Sequence, residues 1–216
     1  MSMTAPVGMW VILGAGLALL VIAALADRRS RLRAEAELSA LPHGRRLPRM
    51  SQELCSHVDE ILADDHLSIG ARLVDRRAAS QLSPDDEPTA ILEDARVIIC
   101  PEPLDGARII QAILMGCPDR ADLAIVCPEI DDFALGVALA NHLHGARAVV
   151  PIIADPADCA QIAETLGSTP TTKAAIRSGW LPAEVWGRAH LVISDALSTT
   201  VVPAPADSPE KPSSAH

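Results

Sequence analysis

A chain of 216 residues has room for one medium domain plus appendages, and although 49% of it is apolar, its only aromatics are Trp10, Phe133, Trp180 and Trp186, so a core must be built from Ala, Val, Ile and Leu. The net charge of −10 conceals a split: seven Arg stand against Glu35 and Glu37 between Arg28 and Arg49, and from Met50 onward eleven basic residues stand against twenty-five acidic ones. So acidic a main domain excludes general DNA or RNA binding, which needs clustered positive charge, and five cysteines, an odd number, do not make a disulfide framework.

Residues 1–6 form a short uncharged N-terminus. Val7 to Ala26 is a run of twenty uncharged residues, long enough at about 1.5 Å per residue to cross roughly 30 Å of hydrocarbon, and is expected to be a transmembrane helix. A cleaved signal peptide would carry positive charge before the run, where there is none. Leu13-Gly14-Ala15-Gly16 also suggests a dinucleotide turn, but Leu19 stands where the third glycine belongs and the following stretch has no polar face. Trp10 suits an interfacial anchor, and Arg28, Arg29, Arg31 and Arg33 would lie among anionic headgroups. The expected topology is single-pass, with the N-terminus outside and the remainder cytoplasmic. Residues 27–50 read as a basic juxtamembrane helix and linker broken by Pro42 and Pro48.

Residues 51–202 read as one α/β domain and 203–216 as a disordered tail rich in Pro, Ala and Ser. Ser51 is a candidate N-cap for an amphipathic helix over 52–63. Ile69 to Val74 fits a strand or a short helix, and 83–88 is an acidic loop. Then strands over 96–100, 123–127 and 148–153 alternate with helices over 106–115, 133–144 and 158–166. Short helices follow over 171–177 and 182–188, and a last strand over 190–194. The order βαβαβα predicts a Rossmann-like three-layer domain with a mostly parallel sheet. The helix over 133–144 is apolar all round, which fits a helix packed on several sides or a subunit interface. Trp180 and Trp186 are read as core residues in preference to partner anchors.

One phrase occurs twice. Residues 97–105 read Val-Ile-Ile-Cys-Pro-Glu-Pro-Leu-Asp and residues 124–132 read Ala-Ile-Val-Cys-Pro-Glu-Ile-Asp-Asp. The spacing of 27 from Cys100 to Cys127 is about one strand plus one crossover helix. In an open parallel sheet, ligands bind beyond the carboxyl ends of the strands. That places Glu102, Asp105, Glu129, Asp131, Asp132 and Asp155 at the candidate ligand site, beside Cys100, Cys127 and Asp158. The competing structural reading makes Asp105 and Asp131 or Asp132 helix caps and the Cys residues small buried strand ends. Metal spacing is poor: there is no Cys-x-x-Cys, and His142-x-His144 points to two helix faces. No serine-hydrolase elbow, zinc-protease helix, kinase signature or phosphate loop is present. Glu102 and Glu129 remain candidates for a general acid and base should they converge.

The order Ala121-Asp122 before a strand, Asp131-Asp132 after it, Ala138-Leu-Ala-Asn in a helix, Val149 to Asp155-Pro156, and Ala163-Glu-Thr-Leu-Gly167 resembles the second half of the Rossmann-type, NAD-binding regulatory domains (RCK and Trk-type) of potassium channels and uptake systems. The likeness covers residues 95–167. It implies a regulatory or scaffolding domain, sensing a nucleotide or small ligand at the strand ends, and partners that are a membrane protein or a second copy of the chain. The family's glycine-rich first turn is absent, which leaves the cofactor open and implies a degenerate or differently liganded relative. The rival expectation is an enzyme acting on a nucleotide or small polar molecule with the strand-end acids.

Overall fold

In a computed structural model of the chain, one twelve-residue strand holds the domain together. It is β4 (Pro88–Ile99), rich in Ala, Ile, Leu and Val, buried along most of its length and paired with a strand on both sides. The structure describes residues 46–63 and 66–205, together with Ala15. Before β4 come α1 (Gln52–Ile61), β1 (Leu67–Ile69), β2 (Arg72–Leu73) and β3 (Gln81–Leu82). After it follow α2 (Ala107–Gly116), β5 (Leu123–Cys127), α3 (Asp132–His144), β6 (Val149–Ile153), α4 (Pro156–Thr165), α5 (Lys173–Ser178), β7 (Trp186–Ser194) and β8 (Thr199–Pro203).

The sheet runs β1-β8-β7-β4-β5-β6-β2, with β3 paired to β4 off this path. Among the strands of the described residues, β4–β5 and β5–β6 pair parallel, whereas β7, β8, β1, β2 and β3 all pair antiparallel. The sheet is therefore mixed, and the expectation of a mostly parallel, Rossmann-like one is corrected. The cause is the C-terminal hairpin. The Asp195 carboxylate accepts the N–H groups of Leu197 and Ser198 at 2.7 and 2.8 Å and closes a tight turn between β7 and β8. β7 then lies against β4 from Ala90↔Ser194 to Ile98↔Trp186.

The expected transmembrane helix over 7–26 is likewise corrected, and with it the single-pass topology and the outside-to-cytoplasmic localisation. Among the described residues, no helix is long and apolar enough to cross a membrane. The span itself, with Trp10, Arg28, Arg29, Arg31 and Arg33, lies outside the described residues, as do residues 206–216 of the expected tail.

The elements form for local reasons. The Ser51 hydroxyl accepts the Leu54 N–H at 3.2 Å and starts α1, whose Val58 and Ile61 pack on Leu191 and Val202 in a small cluster. The larger cluster joins Ile98, Ile125 and Val149 of the strands to Ile109, Ile110 and Ile113 of α2, Ala134 and Ala138 of α3, and Trp186. Each buried isoleucine contributes about 1.5–3 kcal/mol through removal from water. The undecided stretch 69–74 is two short strand ends around Gly70, and 182–188 is a single 3₁₀ turn, Ala183–Val185, that leads directly into β7. The apolar helix α3 buries Ala134, Gly136, Ala138 and Leu139 and half-buries Phe133, Leu135 and Val137 within its own domain. The two domain tryptophans divide: Trp186 is buried, its ring N–H directed at the Leu181 carbonyl, whereas Trp180 is exposed.

Candidate ligand-binding site at the strand ends

The two copies of the repeated phrase lie side by side. β4 and β5 pair in register up to Ile99↔Val126, and the pairing resumes beyond the prolines as a bridge between Leu104 and Ile130. There Leu104 N–H donates to the Glu129 carbonyl at 2.8 Å and Asp131 N–H donates to the Leu104 carbonyl at 3.0 Å. Pro101 and Pro128 interrupt the strands without separating the chains. The two acidic loops are thus held as neighbours by backbone bonds.

Most of the acids at this edge have structural work. The carboxylate of Asp131 caps α3 by accepting Ala134 N–H at 2.6 Å, and its second oxygen accepts Gly106 N–H at 3.0 Å from the other loop. Asp155 caps α4 with two bonds of 2.8 Å, from Ala157 and Asp158. Asp105 is 2.7 Å from Arg177 and 3.2 Å from Lys173 Nζ. Its carboxyl is held below the usual carboxylate range, first by the Lys173 hydrogen bond and then by the Arg177 charge. Glu102 is half-buried and accepts the backbone N–H of Lys173 at 3.3 Å. Glu129 and Asp132 stand exposed, Asp132 in the first turn of α3, where an acid complements the helix dipole.

Lys173 and Arg177 were not among the sequence-predicted site residues. They arrive on α5, after Thr171 N–H has donated to the Ile99 carbonyl at 2.8 Å and laid the segment across the end of β4. Arg177 lies 72 positions from Asp105, and the i, i+4 spacing of two cations was the sole local sign that they share a helix face.

Beneath the loops are three buried thiols, Cys100, Cys127 and Cys159. Burial pushes Cys127 up to about 12 and Cys159 up to about 11, with the neighbouring thiols adding to the effect, and burial raises Cys100 as well. Such thiols stay protonated at neutral pH and are poor nucleophiles and poor metal ligands. Among the described residues, no group of three or more His, Cys, Asp or Glu side chains is arranged to hold a metal ion. His142, one of the two closely spaced histidines on α3, accepts the Val149 N–H through Nδ1 at 3.3 Å, a link between helix and strand.

No family model matches the chain, and no curated protein matches it. Among solved structures, the chain is similar to the chaperonin gp146 from the bacteriophage EL 2 (Pseudomonas aeruginosa), crystallised in the presence of ATP-BeFx. In one crystal form the identity is 11% and the TM-score 0.48; in a second they are 10% and 0.46. In both, the match covers 81% of this chain and 41% of the chaperonin chain, so this chain spans about two-fifths of that protein's length.

Proposed function

We propose that this chain is a regulatory or scaffolding α/β domain that works by holding a partner polypeptide, with the contact on the α2–α5 edge. One observation carries this reading. Met115 at the end of α2 is 88% exposed and Trp180 just after α5 is 66% exposed, in a domain with few large apolar side chains left in water. The two neighbourhoods adjoin, since a Cβ at Gly116 would lie 2.7 Å from Leu181 Cδ1. Trp and Met are side chains that anchor protein contacts, because they bury much area and adapt to an uneven partner.

Nucleotide sensing, which the regulatory-domain resemblance implies, is less well supported. A phosphate seeks free N–H groups and the positive end of a helix dipole. At the starts of α3 and α4 those groups already face Asp131 and Asp155, and Asp131 also takes the Gly106 N–H that precedes α2. An incoming anion would meet a carboxylate at each position.

The test is binding of fluorescent peptides to the full chain, read by anisotropy. A peptide with an apolar core is expected to bind, and Trp180→Ser and Met115→Ser are each expected to weaken it about tenfold, the scale of a central anchor. Both sites are exposed, so thermal melting should be unchanged. Equal binding by the wild type and both variants would overturn the proposal.

A further inference from the structure

The α2–α5 edge carries a charge opposite to that of the domain around it. Residues 107–116 and 173–182 contain Arg108, Lys173 and Arg177 and no acid at all, within a domain where acids outnumber bases by fourteen from Met50 onward. Arg108 is exposed in the first turn of α2, where a cation works against the helix dipole and so adds nothing to helix stability. Arg177 leaves 55% of its side chain in solvent although it meets Asp105, and Lys173 leaves 25%. The apolar pair Met115 and Trp180 stands on these same two segments.

From this juxtaposition we infer that the partner segment is acidic as well as apolar: a stretch of apolar side chains flanked by Asp or Glu. The inference rests on the polypeptide-binding reading given above and adds the chemistry of the partner. The apolar side chains would cover Met115 and Trp180, and the flanking carboxylates would meet Arg108, Arg177 and Lys173. A basic segment would meet the cations carried by the same two segments and be repelled, which supplies selectivity by charge as well as by fit. Asp105 enters as a competitor. Its carboxylate already occupies Lys173 and Arg177, so an incoming acid must share these cations with it or displace it.

Three peptides with one apolar core, flanked by Asp, by Ser or by Lys, are titrated against the full chain at low and high salt. The expected order of affinity is Asp, then Ser, then Lys, with a spread that contracts at high salt. Arg108→Glu and Arg177→Glu are each expected to weaken the Asp-flanked peptide about two- to fivefold, the scale of an exposed ion pair, and to leave the Ser-flanked peptide unchanged. Asp105→Asn is expected to tighten the Asp-flanked peptide by a similar factor, a gain that damage to the fold would not produce. If the Ser-flanked peptide binds and the three affinities are equal or reversed, the acidic partner is refuted while the polypeptide-binding reading stands. If none of the three binds, both are refuted.

Discussion

The carboxylate of Asp131 takes the backbone N–H of Gly106, 25 positions earlier in the chain, at 3.0 Å while its other oxygen caps α3 at 2.6 Å. One side chain thereby joins the two loops of the repeated phrase. Asp131→Ala removes a helix cap and leaves Gly106 N–H without this acceptor, so it should cost about 1–3 kcal/mol. Asp131→Asn retains one acceptor and should cost less. Chemical denaturation of the two variants checks the order; equal losses would mean that the charge, and not the geometry, matters.

The Asp105 pairing should depend on pH in a defined direction. Its folded-state pKa is depressed, chiefly by the Lys173 hydrogen bond. The stabilisation it gives is therefore present above the unfolded value of about 3.9 and is lost as pH falls through the lower folded value. The stability difference between wild type and Asp105→Asn should be constant near neutrality and shrink in acid. Melting curves at a series of pH values test this, and a difference that grows in acid would contradict it.

The thiols make a prediction at the other end of the scale. Cys100, Cys117, Cys127 and Cys159 are buried and Cys55 alone is partly open. A thiol-specific colorimetric reagent at pH 8 should therefore find one fast group in the native chain and five after unfolding. The raised folded values also imply that stability falls once pH passes the unfolded thiol value of about 8.5, because the unfolded chain releases protons that the folded chain retains. Fast modification of several thiols in the native state would show that the strand ends open readily.

Gly187 in β7 tests the packing of the antiparallel half. A Cβ there would come within 2.8 Å of Leu166 Cδ1 and 3.1 Å of Leu166 Cβ. The first atom can swing away but the second is fixed to the backbone. Gly187→Ala should therefore cost about 1–3 kcal/mol by overpacking, and should cost less in a Leu166→Gly background, which removes that Cβ, whereas Leu166→Ala retains it and should recover little. No recovery would place the strain elsewhere.

The parallel half of the sheet was legible in the amino-acid sequence because its signals are local. The apolar runs ending at Cys100, Cys127 and Ile153 each lead through a turn into a helix. Of the antiparallel half, only the stretch 190–194 was legible as a strand, and its direction was not. β7 begins at Trp186, where the spacing of Pro182 to Arg188 suits a short helix, and β8 is a five-residue run ending in Pro203. Their direction depends on pairings such as Ala90↔Ser194, which no local pattern encodes. At the candidate site, Asp131 was legible as a helix cap; Asp155 was not, since the helix was expected to begin at 158, and the cap expected at Asp105 is instead Gly106. The role of Asp105 was not legible either, because Lys173 and Arg177 reach it only through the path of the chain over β4.

The place of β4 between β5 and β7 also sets an order in time. Its parallel partner follows after a single crossover helix, but Ser194, the partner of Ala90, is made 104 positions later, and Leu67 of β1 must wait for Val201. A nascent chain therefore carries one open apolar edge of β4 from the completion of that strand at Ile99 until β7 begins at Trp186. Such non-local pairing slows folding, and an unpaired edge invites pairing with another molecule. The hazard for this protein lies in that interval of waiting, before β7 arrives, more than in the finished sheet.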